Sequence, residues 1–534
     1  DPYAEVTVRL GQVTNTRSAQ VNGHFHVNLP KQAATAVGQA LTVHSRANDR
    51  TQTVTIDDVL IGDVWLCTGQ SNMRWRVHQA ANANDLLVHA DTPNLRLLDM
   101  EGTLYPGPKR YEPDFLKQLT AENYYTTTGW RRASRHSAKT FSAVAFMFGQ
   151  RLARDTDVPI GVIHNAIGGA PMAAFMSSTA KATPAVVDEA MRNWWQGDSY
   201  PDWCRARVRQ NLAAWFEEPT GKQPHHPFEP YFLFNAGIAP LRHQPIRGVV
   251  WYQGESDATD IPGDRPRDAN LNYAVFTALI AGFRDNWRDP ELPFYFAQLP
   301  GLNRDWPTFR EVQAWVASQD KFADMAVTID VGHPTDVHPR QKAPVGDRLA
   351  RLALANEYGT LVDSSGPRFE SLELDGRRAI VHLRHARGLR TKDNQPVREF
   401  SMAGADRIFH PALAAIVGST VIVTCAQVEV PIAVRYAFRS SPNTNLVNRS
   451  LLPTAPFRTD TWQDAAAADA DPSDSGSFEG AAAGPLREAT LHQGTWQAQA
   501  GHAELTGRFA RTGEQCSRLS GCEGRAAAIP PASP

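Results

Sequence analysis

Val64-Trp65-Leu66-Cys67-Thr68-Gly69-Gln70-Ser71-Asn72-Met73 is the stretch whose reading decides the fold. The apolar run 59–66 reads as a buried strand. It stops at Thr68-Gly69, and a polar segment led by Ser71 follows. A strand that ends in glycine and turns into a helix presents the next side chain at the carboxyl edge of a sheet, where open α/β folds bind ligands. Ser71 is therefore a candidate nucleophile on a tight turn, with amides of the helix start nearby to hold an oxyanion. Taken alone, Gly-Gln-Ser-Asn is equally well an ordinary turn and helix cap, since Ser and Asn are favoured there.

Outward from this strand, residues 59–361 alternate strands with helices. Phe141, Val144, Ala145, Phe148 and Leu152 fall at helical spacing. The strand 159–164 follows and leads to Gly168-Gly169, and a Trp-rich, partly helical insertion occupies 178–230. Strands are predicted at 246–252, 292–299 and 325–330, and helices at 271–287, 309–318 and 345–358, the last closed by Gly359. This rhythm predicts a three-layer α/β core, a parallel sheet with helices on both faces.

On either side the period changes to two. In residues 1–58 the runs 5–10, 25–29, 41–44 and 53–56 read as strands. In residues 362–460 the runs 379–383, 420–424 and 434–438 do the same. The two segments are expected to form one accessory β-sandwich. Residues 461–534 are rich in Ala, Gly, Ser and Asp; they bury too little apolar surface to offset ordering entropy, and are expected to be largely disordered.

Composition narrows the function classes. A chain of 534 residues exceeds one ordinary core, and 42% hydrophobic with 21% charged residues places it among soluble globular proteins. A net charge of −2 gives no electrostatic reason to expect nucleic acid or an anionic membrane as partner. No apolar run approaches the roughly 20 residues of a membrane span. Cys67, Cys204, Cys425, Cys516 and Cys522 make neither a zinc spacing nor a disulfide framework. The chain opens at Asp1 without an apolar leader, as a mature form or a fragment does.

Three further strand ends carry chemistry. Gly168-Gly169 allows close backbone approach and offers an amide to an oxyanion. Trp251-Tyr252-Gln253-Gly254-Glu255-Ser256 places a carboxamide and a carboxylate around a glycine: Gln253 as an oxyanion donor, Glu255 to orient a histidine or bind substrate. In the segment from Asp330 through His333 and Asp336 to His338, His338 is the best general base, because imidazole titrates near neutrality, and Asp336 is placed to orient it. Each cluster alone is as readily a solvated loop. Four of them, each beyond a separate strand of one sheet, supply nucleophile, base, acid and oxyanion donors together. Asp330, His333, Asp336 and His338 also read as a zinc or manganese loop, which would make the chain a metal-dependent hydrolase. That reading leaves Ser71 without a role.

The blocks Gly69-Gln70-Ser71-Asn72-Met73, Trp251 to Ser256 and Asp336-Val337-His338-Pro339 resemble the signatures of the sialate O-acetylesterases, members of the SGNH hydrolase superfamily related to acetyl xylan esterases. The resemblance runs from about Val6 to Asp460 and includes Phe234 to Leu241, Val434-Arg435-Tyr436 and Pro456 to Asp460. It implies an esterase that removes O-acetyl groups from sugars, typically sialic acid, without metal or organic cofactor. It places the nucleophile on Ser71, the base on His338, and the acid on Asp336 or Glu255. The oxyanion hole falls on the Ser71 amide, the Gly169 amide and Gln253. Asn72, Arg74, Trp251 and Tyr252 are the expected substrate contacts, with Trp75 a further aromatic beside the motif. The resemblance favours a periplasmic or secreted protein. Two usual carboxylates are absent: Arg74 stands where the family has Glu, and Ala173 replaces the Glu of Thr-Pro-Ile-Glu-Ala-Trp. Those changes also leave room for a non-catalytic sugar-binding protein on the same fold.

Overall fold

The computed structural model describes residues 1–102, 109–180, 183–192, 194–219, 223–258, 268–462 and 526–529. The decisive strand runs much further than its apolar half. Strands β1 (Glu5–Leu10), β2 (Val13–Ser18) and β3 (Thr35–Ala47) form antiparallel ladders, and β3 pairs with the first part of β4 (Arg50–Gly69). At Asp58 the backbone takes φ 55°, and the register with β3 shifts between Gln39 and Leu41. Beyond that irregularity every residue from Val59 to Gly69 is buried. One strand thus crosses the expected boundary at residue 58.

The remaining strands of this sheet are β5 (Thr92–Gly102), β6 (Tyr125–Ala133), β7 (Ile160–His164), β8 (Gly248–Tyr252), β9 (Phe294–Ala297) and β10 (Ala323–Ala326). Across the core the order is β6-β5-β7-β4-β8-β9-β10, parallel except for β6 at the edge. Ala526–Ile529 pairs antiparallel with β4. The rest of the tail read as disordered lies outside the described residues.

Strand periodicity divides the core into two faces. Val64, Leu66, Val249, Trp251, Phe294 and Phe296 point to one face, and Trp65, Cys67, Val250, Tyr252, Tyr295 and Ala297 to the other. The principal helices are α1 (Ser71–Arg74), α2 (Ala143–Asp155), α3 (Ala269–Trp287), α4 (Pro307–Gln319) and α5 (Ala343–Glu357). Helices α3 and α4 cover the first face through Val275, Leu279, Phe283, Phe309 and Val316. Helices α2 and α5 cover the second through Phe148, Leu152, Val345 and Leu349. Each such side chain contributes roughly 1.5–3 kcal/mol relative to exposure.

Some expectations need correction. The run 25–29 makes no ladder; the strand beside β1 is β2, and Val27 and Leu29 only lean on its small core. The strand predicted at 325–330 ends at Ala326, and Ile329–Val331 is a single tight helical turn whose Asp330 is drawn to Arg348. The two end segments join no common ladder among the described residues. Continuity of β4 commits the N-terminal strands to the central sheet. The C-terminal strands form two four-stranded antiparallel sheets, which share a core of Val381, Val421, Val423, Met402, Val434 and Tyr436, and a two-stranded pair of Arg390–Thr391 with Leu446–Val447. Among the described residues no helix is long and apolar enough to cross a membrane.

Candidate active site

Gly69 sets the geometry. Its φ is +134°, and a Cβ there would stand 2.2 Å from the Tyr252 carbonyl oxygen, so only glycine lets β4 and β8 run side by side to their ends. The Gln70 amide donates to that same carbonyl at 3.0 Å, and the chain turns into α1 with Ser71 as its first residue. Ser71 is half-buried, and its hydroxyl has no hydrogen-bond partner among the described residues. The segment after β7 lies alongside: a Cβ on Gly168 would sit 3.8 Å from that of Ser71. Gly169 takes φ +76°, with Trp203 at 2.7 Å from where its Cβ would be. The amides of Ser71 and Gly169 have no partner among the described residues.

The loop carrying His338 is tied to α1. Asn72 donates through Nδ2 to the Val337 carbonyl at 2.9 Å and also to Glu255 Oε1. The His338 ring stacks on Trp75 with centroids 5.1 Å apart and planes at 22°. Asp336 Oδ1 accepts the His338 backbone amide at 2.8 Å, so this carboxylate fixes the turn under the imidazole. Burial and the Lys342 cation push His338 below the ordinary imidazole value, and Asp336 opposes them. The ring has no hydrogen-bond partner among the described residues, so the Ser71–His338 bond of a working relay is not made here. Such bonds often tighten only when substrate binds.

Residues 231–355 match the family model described as "Carbohydrate esterase, sialic acid-specific acetylesterase". Over 379 residues the chain is 28% identical to the sialate O-acetylesterase of Rattus norvegicus, covering 64% of this chain and 66% of that one. It is 31% identical over 367 residues to that of Mus musculus, covering 62% and 63%. The chain thus spans slightly under two thirds of the length of these curated relatives. The crystal structure of a carbohydrate acetylesterase from Xanthomonas citri superposes with a TM-score of 0.69 at 30% identity, covering 86% of this chain and 94% of that one. The chain belongs to this carbohydrate acetylesterase family.

Within that family frame, several expected roles change. Gln253 is not an oxyanion donor. Its Nε2 donates to the Ala170 carbonyl at 3.1 Å and to Asp257 Oδ2 at 2.6 Å, so both hydrogens are occupied in fastening β8 to the segment after the paired glycines. Trp251 and Tyr252 are fully buried core residues and offer no face to a sugar. Asn72 is also fully buried and acts as a brace instead of a substrate contact. Trp75 spends a face on His338. Asp330 is paired with Arg348 at 2.6 Å, which removes it from the metal reading, and among the described residues no three His, Cys, Asp or Glu gather. Arg74 is half-buried and has no hydrogen-bond or ion-pair partner among the described residues.

Two buried groups escaped the sequence reading. His164, at the end of β7, holds Asp99 Oδ1 through Nδ1 at 2.6 Å, and Arg76 takes the other carboxylate oxygen at 2.6 Å. Burial pushes this imidazole below its ordinary value, against the pull of Asp99. Lys342 is 1% exposed; its Nζ donates to Asn72 Oδ1 and lies 5.6 Å from the ring centroids of both Trp75 and Tyr252. Its place four residues after His338 was the available signal.

Proposed function

We propose that this protein is a serine esterase that removes O-acetyl groups from sugars, with an acetylated sialic acid as the favoured substrate. The observation that carries the reading is the Ser71 turn: a glycine-dependent corner sets an unengaged hydroxyl between the Gly168-Gly169 segment and the loop bearing His338. His338 takes the Ser71 proton, and Oγ attacks the acetyl carbonyl. The Ser71 and Gly169 amides receive the oxyanion. Imidazolium gives the proton to the departing sugar oxygen as its bond to the acetyl carbon breaks, releasing the sugar hydroxyl. Water, deprotonated by His338, then releases acetate and restores Ser71. Asp336 acts through the turn that carries the base, and Glu255 through Asn72.

The test is acetate release from 9-O-acetylated sialic acid measured against acetylated xylan. Faster turnover of the xylan would move the reading to an acetyl xylan esterase; turnover of neither would remove the esterase. Because the base must be unprotonated and burial beside Lys342 holds it below the ordinary imidazole value, kcat/KM falls as pH drops through a point below that of an exposed histidine. A pH series with a small acetyl ester checks this; an acid limb at or above that of an exposed histidine contradicts it.

Arg74 supports the acidic sugar. It lies three residues beyond Ser71, and its positive field reaches both Tyr124 and His164. A guanidinium without an internal partner suits a substrate carboxylate. Arg74→Glu is expected to raise KM for the carboxylated substrate about tenfold, as the loss of one charge-assisted contact does, with kcat little changed. Acetylated neutral xylo-oligosaccharide should respond less than about twofold in the same comparison. Equal effects on both substrates would separate Arg74 from the carboxylate.

A further inference from the structure

Lys342 occupies a costly position. It stands at the N-cap of α5, where the helix dipole disfavours a cation, and it is 1% exposed. A methionine there would fill similar space without desolvating an ammonium. Its contacts converge on the catalytic apparatus. From α1 come Asn72, whose Oδ1 accepts the ammonium hydrogen bond, and the ring of Trp75. From the end of β8 come the ring of Tyr252 and the charge of Glu255. From the preceding loop come Asp336 and His338. Arg304 also acts on His338 from the loop after β9.

Asn72 is the hub. Its oxygen takes Lys342, and its amino group serves both Glu255 and the Val337 carbonyl. A carboxamide accepting through its oxygen and donating twice through its nitrogen has one orientation, because the reversed rotamer would face Lys342 with its own donors. Lys342 therefore locks the side chain that ties the nucleophile's helix to the base's loop.

We propose that Lys342 is a positioning residue of the esterase relay: through Asn72 it fixes the Val337–His338 backbone against the helix that carries Ser71. This rests on the esterase reading above. The lysine has a second, electrostatic effect. Its pKa is brought down to about 7 by burial, against the opposing pull of Glu255 and Asp336. As a cation it favours the neutral imidazole of His338. The neutral amine loses that effect but keeps a hydrogen to donate to Asn72.

The experiment compares kcat and KM against pH for the full chain and for Lys342→Met and Lys342→Gln, with p-nitrophenyl acetate as substrate. In Lys342→Met, kcat should fall about 10- to 100-fold, the range that a small misplacement of a catalytic group costs, with KM within about threefold. Losing a neighbouring cation raises the His338 pKa, so the acid limb should move up by about half a pH unit to one unit. Lys342→Gln retains a donor without the charge; its limb should move likewise, with a smaller loss of kcat. A purely structural lysine would change thermal stability and leave the limb in place. Both variants following the wild-type limb, with kcat within about twofold of wild type, overturns the proposal. If Lys342→Met does not fold, Lys342→Gln decides through its limb. A wild-type protein that releases no acetate overturns the esterase reading itself, and this inference with it.

Discussion

Ser71→Ala lowers kcat/KM for acetyl-ester hydrolysis by about 10⁴-fold or more, the loss typical of removing a serine nucleophile. The change removes Oγ and with it any acetyl-enzyme, while the Ser71 amide and the Gly169 amide stay in place. The residual rate should then come from carbonyl polarisation by those amides. The hydroxyl has no hydrogen-bond partner among the described residues, so its loss should cost the fold less than about 0.5 kcal/mol. That separation gives the variant its force: activity collapses while the thermal transition stays where it was. A metal-bound water as nucleophile predicts the reverse, with Ser71→Ala within a few-fold of wild type. Acetate release on matched, folded protein distinguishes them, and retention of more than about one tenth of the rate would end the serine mechanism.

What the sequence made legible follows from range. The run 59–66 reads as a buried strand because each residue reports its own environment, and β4 is fully buried there. Spacing-four apolar residues place α2, α3 and α5 within a few residues, for the same local reason. Continuity was not readable. Asp58 holds a left-handed backbone inside a twenty-residue strand, and polar flanks such as Thr53 and Thr55 look like a separate hairpin. The site divides the same way. Ser71 and His338 stand out because their types and strand-end positions are chemically telling. Gln253 was misread because the partner that occupies it, Asp257, is one turn further along a loop of unknown path. Trp251 and Tyr252 looked like sugar platforms, yet β8 is a central strand and buries both faces. Lys342 was passed over because a lysine at a helix start ordinarily faces water. Only the folded arrangement closes Asn72 around it.

The C-terminal segment should matter to the base loop as much as to stability, and Arg310 is where that can be measured. Arg310 on α4 is 1% exposed and donates to three carbonyls: Arg439 at 2.8 Å, Ser440 at 2.5 Å and Pro300 at 3.3 Å. Those bonds clamp residues 439–440 onto the segment after β9. That segment is continued toward the site, for the Leu302 amide donates to Ser440, the His333 amide to Gly301, and the Asn303 amide to Pro334. His333 in turn accepts the Asp336 amide at 3.0 Å, and Asp336 accepts that of His338. Arg310→Met fills the space but strips the buried Pro300 carbonyl and the Arg439 carbonyl of the guanidinium, while Ser440 keeps only the Leu302 amide, so a loss of about 2–4 kcal/mol is expected. Thermal unfolding reads that loss. A second effect should appear well below the new transition: kcat reduced several-fold with KM little moved, because the loop under His338 has lost its outer support. If folded Arg310→Met turns over at the wild-type rate, the C-terminal sheets stabilise the chain without positioning the base, and the clamp ends at residue 300. A fall in kcat would instead make the C-terminal sheets part of the catalytic frame, acting through the hydrogen bonds that run from Ser440 to His338.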